Sequence, residues 1–229
     1  MKILNLTPNL SFQAPELVTK FKNAEFLTIS PLNSELENET HIKCEIGSMS
    51  YALALIVQGF SKDSAIEELD TGFLSGESNV GEEEIEDILE FLDGANLVIV
   101  DEEILNHNKD SLNLKFLINA IASNFSLEIV SLNGDKVTLK NTKFSELEEL
   151  DSFDGAVVFK HTKDDKFVGG NYFCLVAKIK DGDKVRIKAP NLDVVREFKL
   201  DKEMRGTVAL LGVDKVDSYA YEVVKVSKV

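Results

Sequence analysis

The feature that most constrains the fold is a continuous apolar run at residues 97–100, Leu-Val-Ile-Val, which follows directly after an amphipathic helical segment. That segment places its apolar side chains at helical spacing, at Ile85, Ile88, Leu89 and Leu92. Short β-branched runs of this kind are typical of strands buried on both faces of a parallel sheet. A second helical pattern at residues 112–124 and a second strand at residues 127–132 come next. This alternation predicts a parallel sheet covered by helices.

Shorter patterns precede this unit. One helix is predicted to begin at Pro15, a residue suited to the first helical position, and another at Ser48. Residues 101–109 are polar and are interpreted as a connection. Strands are predicted at residues 2–6, 26–29 and 42–46.

The sequence pattern changes after residue 133, where short apolar runs alternate with glycine-containing turns. Asp154-Gly155 and Asp181-Gly182 are turn-forming pairs, and Gly169-Gly170-Asn171 is interpreted as a tight turn into a following strand. An α/β region over residues 1–150 and a β-rich lobe over residues 151–229 are therefore predicted, and whether the two form one domain stays open. The strands predicted in this part lie at residues 136–139, 156–159, 172–178, 184–188, 207–211 and 219–226.

The charge balance excludes several classes of partner. The chain has 40 acidic and 25 basic residues, a formal net charge of −15, which repels nucleic-acid phosphates and anionic membrane surfaces. No apolar run approaches the roughly 18 residues that cross a bilayer, and the N-terminus lacks a signal-peptide pattern. We therefore expect a cytoplasmic protein with no direct membrane insertion and no nucleic-acid partner.

Cysteine and histidine are scarce. Cys44 and Cys174 stand apart and in no paired motif, which suits a reducing compartment, and two thiols cannot ligate an iron–sulfur cluster alone. His41, His107 and His161 lie in polar contexts without a recognisable nucleophile nearby. No G-x-G-x-x-G or G-x-x-x-x-G-K-[ST] pattern occurs. We therefore predict no catalytic, cofactor-binding or metal-binding residues and no cofactor.

Two alternatives for function stay open at this stage. Asp101 follows a buried strand, and His107 comes shortly after it, so a stand-alone small-molecule-binding enzyme would have its site near these two residues. A free adaptor would instead use the acidic stretch at residues 82–87, which lacks the alternation of a calcium loop and reads as a solvated helix start.

Three segments carry a resemblance to a known family. Residues 44–48, Cys-Glu-Ile-Gly-Ser, precede a helix at residues 52–57 and resemble the E-[VI]-G-S segment of the large iron–sulfur subunit (the G subunit) of bacterial NADH-quinone oxidoreductases. Residues 96–101, then His107 and Asn113-Leu114, resemble a strand–loop–helix unit in the molybdopterin-oxidoreductase-like region of that subunit. Residues 205–209, Arg-Gly-Thr-Val-Ala, resemble the closing strand of its C-terminal β-rich part.

The resemblance implies a reduced relative that kept the fold and lost the redox groups. The G subunit carries its clusters on many cysteines and this chain has two, so no cluster ligand is transferred. Some bacteria replace the NADH-oxidising subunits of this complex with short proteins and accept electrons from another donor. An accessory subunit of the peripheral arm, partnered by iron–sulfur subunits on the cytoplasmic face of the inner membrane, is therefore expected. A donor would bind the less acidic C-terminal lobe.

Overall fold

The computed structural model describes residues 1–34 and 36–229. These residues divide into two compact units, Met1–Leu150 and Asp151–Val229. Each unit has a sheet of its own and buried apolar clusters of its own.

The first unit is built on a five-stranded sheet in which every neighbouring pair is parallel. Its strands are β1 (Lys2–Asn5), β2 (Glu25–Ser30), β3 (Glu39–Lys43), β4 (Ala95–Ile99) and β5 (Glu128–Val130). They lie in the order β3-β2-β1-β4-β5. Because the chain winds outward from the centre in both directions, β1 and β4 flank a topological switch point.

Helices cover both faces of this sheet. Successive side chains of β1 point to opposite faces of the sheet. Ile3 therefore packs in the apolar cluster that includes Leu10 and Leu17, and Leu4 packs in the larger cluster on the other face. The predicted parallel sheet covered by helices is therefore confirmed. The helices are α1 (Leu10–Gln13), α2 (Pro15–Lys20), α3 (Met49–Gln58), α4 (Ser64–Glu67), α5 (Thr71–Ser78), α6 (Glu82–Asp93), α7 (Glu102–His107) and α8 (Ser111–Asn124).

An extended segment, residues 138–150, returns over α8, and we call it the strap. Its attachment centres on Asn113, whose amide nitrogen donates to the carbonyl oxygen of Glu146 at 3.2 Å and whose amide oxygen accepts from the backbone nitrogen of Ser145 at 2.9 Å. The hydroxyl of Thr142 donates to the carbonyl oxygen of Leu112 at 2.8 Å. These bonds fix backbone that has no regular partner in a sheet or helix.

The second unit is a mixed seven-stranded sheet with one short helix, α9 (Asn171–Ala177), between its second and third strands. The pairs β6/β10 and β7/β9 are parallel, and the other neighbouring pairs are antiparallel. The predicted β-rich lobe is confirmed. Its strands are β6 (Val157–His161), β7 (Phe167–Gly169), β8 (Lys184–Ala189), β9 (Leu192–Leu200), β10 (Val208–Gly212), β11 (Tyr221–Val223) and β12 (Lys225–Lys228), in the order β11-β6-β10-β7-β9-β8-β12.

Three local predictions are wrong. Residues 101–109 are largely helical, as α7, because the carboxylate of Asp101 caps two backbone N–H groups that start the helix. Residues 172–178 form α9 and not a strand, although their apolar run favours a strand locally. At residues 136–139 the structure has a single bridge, between Val130 and Lys136, in place of a strand.

Candidate functional site

The candidate site is the carboxyl edge of the parallel sheet between β1 and β4. Open α/β sheets bind ligands at this edge, next to the point where the strand order reverses. Here the loop after β1 supplies Thr7, Pro8 and Asn9, and β4 leads into Val100 and Asp101. The polar side chains at this edge decide what the edge can bind.

The polar groups at the end of β1 bond to one another. The side chains of Asn5, Thr7 and Thr28 are fully buried. The amide nitrogen of Asn5 donates to the hydroxyl oxygen of Thr28 at 3.1 Å. The amide oxygen of Asn5 accepts from the backbone nitrogen of Thr7 at 3.1 Å and from its hydroxyl at 2.9 Å. The chain therefore satisfies these buried groups from within.

A second set of bonds joins α1, which follows β1, to the residue that follows β4 on the other side of the switch point. The backbone nitrogen of Asn9 donates to Oε1 of Gln13 at 3.1 Å, and Nε2 of Gln13 donates to Oδ2 of Asp101 at 2.6 Å. The other carboxylate oxygen of Asp101 accepts from the backbone nitrogens of Glu103 and Ile104 at 3.0 and 3.2 Å. We call Asn9, Gln13 and Asp101 the clasp.

The electrostatics of the clasp follow from its burial. Desolvation raises the pKa of Asp101 above its ordinary value, and the hydrogen bonds from Ile104, Gln13 and Glu103 oppose that rise. The carboxylate of Asp101 accepts hydrogen bonds from backbone N–H groups at the start of α7, so these N–H groups already have a partner within the chain. The clasp ties the β1 and β4 loops together.

The two residues of the predicted enzyme site do not meet. Asp101 caps the start of α7, whereas His107 is the last residue of that helix and is exposed. At the α-helical rise per residue, roughly 9 Å of helix axis separates them.

The remaining histidines lie elsewhere in the fold. His41 is on β3, where its Nε2 donates to the carbonyl oxygen of Ser30 at 3.2 Å. His161 is buried at the end of β6, and burial lowers its pKa. The three histidines therefore belong to three different local environments.

Burial favours the protonated form of both thiols. Burial raises the pKa of Cys44 to about 12, and burial also raises the pKa of Cys174 on α9. A protonated thiol is a weak nucleophile and a weak metal ligand. Within residues 1–34 and 36–229, no three His, Cys, Asp or Glu side chains lie in an arrangement that could hold a metal ion. Residues 82–87 form the exposed start of α6.

A buried ion pair in the second unit escaped the sequence interpretation. Nζ of Lys160 lies 2.8 Å from Oε2 of Glu222 and 2.7 Å from Oγ of Ser218. The side chain of Lys160 is only 7% exposed, on a strand whose five residues are all buried. Lys160 directly follows the apolar run at residues 156–159, and a strand extended by one residue would have indicated the pair, because a buried ammonium group requires a partner.

One shallow cavity lies beside α7, α8 and the strap. Its volume is about 180 Å³, below the roughly 300–1,000 Å³ of typical small-molecule sites. The charged side chains in its lining are Glu102, Lys115 and Lys140.

Comparison of the chain with protein-family models and with curated proteins finds no match. Across the described part of the chain, no helix combines the length and the apolar character needed to cross a bilayer.

Proposed function

We propose that the chain is a non-catalytic accessory subunit of a respiratory NADH-quinone-oxidoreductase-like complex. In this role it holds neighbouring iron–sulfur subunits and helps to shape the site of the electron donor. It is cytoplasmic and, through the complex, peripheral on the cytoplasmic face of the inner membrane. Its partners are other subunits of the complex.

The clasp is the observation that carries the non-catalytic part of the proposal. At the edge of the sheet that binds ligands in open α/β architectures, Nε2 of Gln13 donates to Oδ2 of Asp101 at 2.6 Å, so both side chains are engaged within the chain. The buried Asn5 and Thr7 beside it are bonded to each other and to Thr28. An edge whose polar groups serve the fold suits a structural subunit better than an enzyme.

The distribution of charge supports a role in an assembly. Residues 1–150 contain 27 acidic and 10 basic residues, whereas residues 151–229 contain 13 acidic and 15 basic residues. One part is therefore strongly negative, and the other is close to neutral with a slight excess of cations. Such asymmetry favours a fixed orientation against charged partners. The three segments that resemble the G subunit point to the class of assembly.

A pull-down from native membranes tests the proposal directly. The tagged full-length protein is purified gently, and the proteins that come with it are identified by mass spectrometry. We expect quinone-oxidoreductase subunits in a fixed ratio to the bait. Recovery of the bait alone, from the soluble fraction, would remove the subunit assignment.

Two further measurements separate this proposal from a stand-alone enzyme. The purified chain should show no flavin or iron–sulfur absorbance between about 380 and 460 nm, the region where these chromophores absorb. His107→Ala should leave co-purification of the partners nearly unchanged, because the accessory role gives His107, exposed at the end of α7, no catalytic task. A bound chromophore, or an activity of the isolated chain that His107→Ala abolishes, would favour the enzyme.

A further inference from the structure

The first unit leaves one edge of its sheet open at β3, the outermost strand, which pairs with β2 alone. The backbone nitrogen of Cys44 donates inward, to the carbonyl oxygen of Ser30 on β2, at 3.3 Å. The backbone nitrogen of Glu45 donates outward, to the carbonyl oxygen of Ser78, at 2.9 Å. Because successive residues of a strand alternate in this way, the odd-numbered residues of β3 turn their N–H and C=O groups to the free side. We call residues 39–43 the β3 edge.

Backbone groups without a partner remain on the β3 edge. In the part of the chain that the structure describes, nothing bonds to the outward N–H and C=O groups of Glu39 and His41. The carbonyl oxygen of Lys43 accepts from the side-chain amide of Asn79 at 3.1 Å, and a carbonyl oxygen can accept a second hydrogen bond. An edge of this kind can pair with one more extended strand.

The β3 edge carries opposite charges at its two ends. Glu39 and Lys43 lie on the same face of the sheet, but about 13 Å of strand separates them, so they do not pair with each other. Oε1 of Glu39 is shielded from solvent without a hydrogen-bond partner among the described residues, and Lys43 is exposed. Within residues 1–34 and 36–229, neither side chain forms an ion pair.

We propose that the β3 edge pairs with the β3 edge of a second copy of this chain, antiparallel about a two-fold axis at His41. In this register His41 faces the same residue of the second copy, and Glu39 of each copy faces Lys43 of the other. The outward backbone groups of residues 39, 41 and 43 then form hydrogen-bonded pairs, and the two ends gain cross-strand pairs of opposite charge. Antiparallel registers displaced by two residues lose both charge pairs, so the sequence of the edge selects one pairing.

The net charge of −15 on each copy opposes the approach of two copies at long range. Repulsion between exposed charges is screened beyond about 8 Å at physiological ionic strength, whereas cross-strand pairs are in direct contact. The two effects predict opposite results for Glu39→Lys. This substitution replaces one negative charge by one positive charge, which weakens the long-range repulsion, but in the proposed register it places Lys opposite Lys at both ends. The register therefore predicts weaker pairing.

Two cysteine variants test the register, each made together with Cys174→Ser so that the half-buried native thiol does not react. His41→Cys places two new thiols opposite each other at the axis, where the Cα atoms of a hydrogen-bonded pair lie roughly 5.5 Å apart, a separation that a disulfide spans. Thr40→Cys is the matched control, because Thr40 faces Ile42 of the second copy and its Cα lies roughly 8 Å from that of its own counterpart. Under mild oxidation, we expect at least about tenfold more disulfide-linked dimer from His41→Cys.

Exchange of the charges tests the pairs at the two ends. Added to His41→Cys, Glu39→Lys and Lys43→Glu should each reduce the linked dimer about tenfold, because like charges then face each other twice. Mixed in equal amounts, the two variants should recover the dimer as a heterodimer, since every Lys again faces a Glu. Glu16→Lys makes the same change of charge at an exposed position of α2 and should alter the dimer less than about twofold.

Sedimentation equilibrium of the unmodified chain should show a reversible dimer, and Glu39→Lys should remove it while leaving the thermal unfolding temperature nearly unchanged. A monomer at every concentration, equal linking through positions 40 and 41, or no recovery on mixing would each overturn the inference. An edge that instead takes an extended segment of another protein would leave the purified chain monomeric, which is the first of these results. The inference is independent of the proposed function, because the pull-down that tests the subunit assignment identifies other proteins.

Discussion

Nε2 of Gln13 lies 2.6 Å from Oδ2 of Asp101, so one hydrogen bond joins the end of α1 to the residue that caps α7 after β4. The same glutamine accepts from the backbone nitrogen of Asn9 through its other side-chain atom. Gln13 is the last residue of α1, which follows the loop after β1, and Asp101 lies directly after β4, at the edge where open α/β sheets bind ligands. In this chain they stabilise the edge of the sheet.

Asp101→Ala should destabilise the first unit by about 2 kcal/mol, because the substitution removes the cap of α7 and leaves Nε2 of Gln13 without its acceptor. Asp101→Asn is the matched control, since an asparagine side chain also caps helices. Chemical denaturation followed by circular dichroism measures the difference. Equal stability of the alanine variant and the wild type would show that the clasp contributes nothing.

Because the pKa of Asp101 is raised in the folded chain, the difference in stability between the wild type and Asp101→Asn should depend on pH. The folded chain holds a proton on Asp101 at pH values where the unfolded chain has already released it, so this group makes stability fall as pH rises. We expect the stability of the wild type relative to Asp101→Asn to fall as pH rises from the ordinary value of 3.8 through the raised pKa. A relative stability that increases with pH in this window would contradict the direction of the shift.

Asn113→Ala should release the strap. The side chain is 1% exposed and donates to Oδ1 of Asp110 and to the carbonyl oxygen of Glu146, so the substitution leaves buried polar groups unpaired at a cost of about 2 kcal/mol. Limited proteolysis should then cut within residues 140–150 faster than in the wild type. Asn119→Ala is the control, because its bond to Lys140 is longer and exposed, at 3.4 Å. Equal cleavage in both variants would mean that Asn113 does not hold the strap.

Lys160→Met should destabilise the second unit by about 3 kcal/mol, because it leaves the carboxylate of Glu222 largely buried without its cation. Adding Glu222→Gln should recover part of the loss, and a double-mutant cycle measures the coupling. Lys166→Met is the control: its pair with Asp164 is more exposed, so the substitution should change stability far less than Lys160→Met. Strictly additive effects at Lys160 and Glu222 would contradict a coupled pair.

Cys44 should resist alkylation in the folded protein. With its pKa raised to about 12 and its side chain buried, almost no thiolate is present at pH 8. Mass spectrometry after iodoacetamide treatment should find slow modification at the half-buried Cys174 and none at Cys44, and both should react in denaturant. A Cys174→Ser variant checks the assignment. Rapid modification of native Cys44 would show that its surroundings open to solvent.

The sequence by itself determined the parallel sheet. The apolar run at residues 97–100 and the helical spacing that precedes it became β4 and α6, because a β-branched run and an amphipathic stripe each have one favourable way to bury their side chains. The helix predicted at residues 112–124 is α8, within one residue at its start. Such patterns are local, so they predict a strand or a helix without knowledge of the segments that pack against it.

The tertiary structure decided the features that depend on distant residues. α9 is a helix despite its strand-like composition, because Phe173 packs against both Phe167 and Phe198 and Gly170 packs on the backbone of Met204. The bond between Gln13 and Asp101 spans 88 positions of the chain, so no local pattern indicates it. A single sequence shows which side chains can form strands and helices. Which buried polar groups meet, and which apolar surface stays exposed, follows only from packing between segments far apart in the chain.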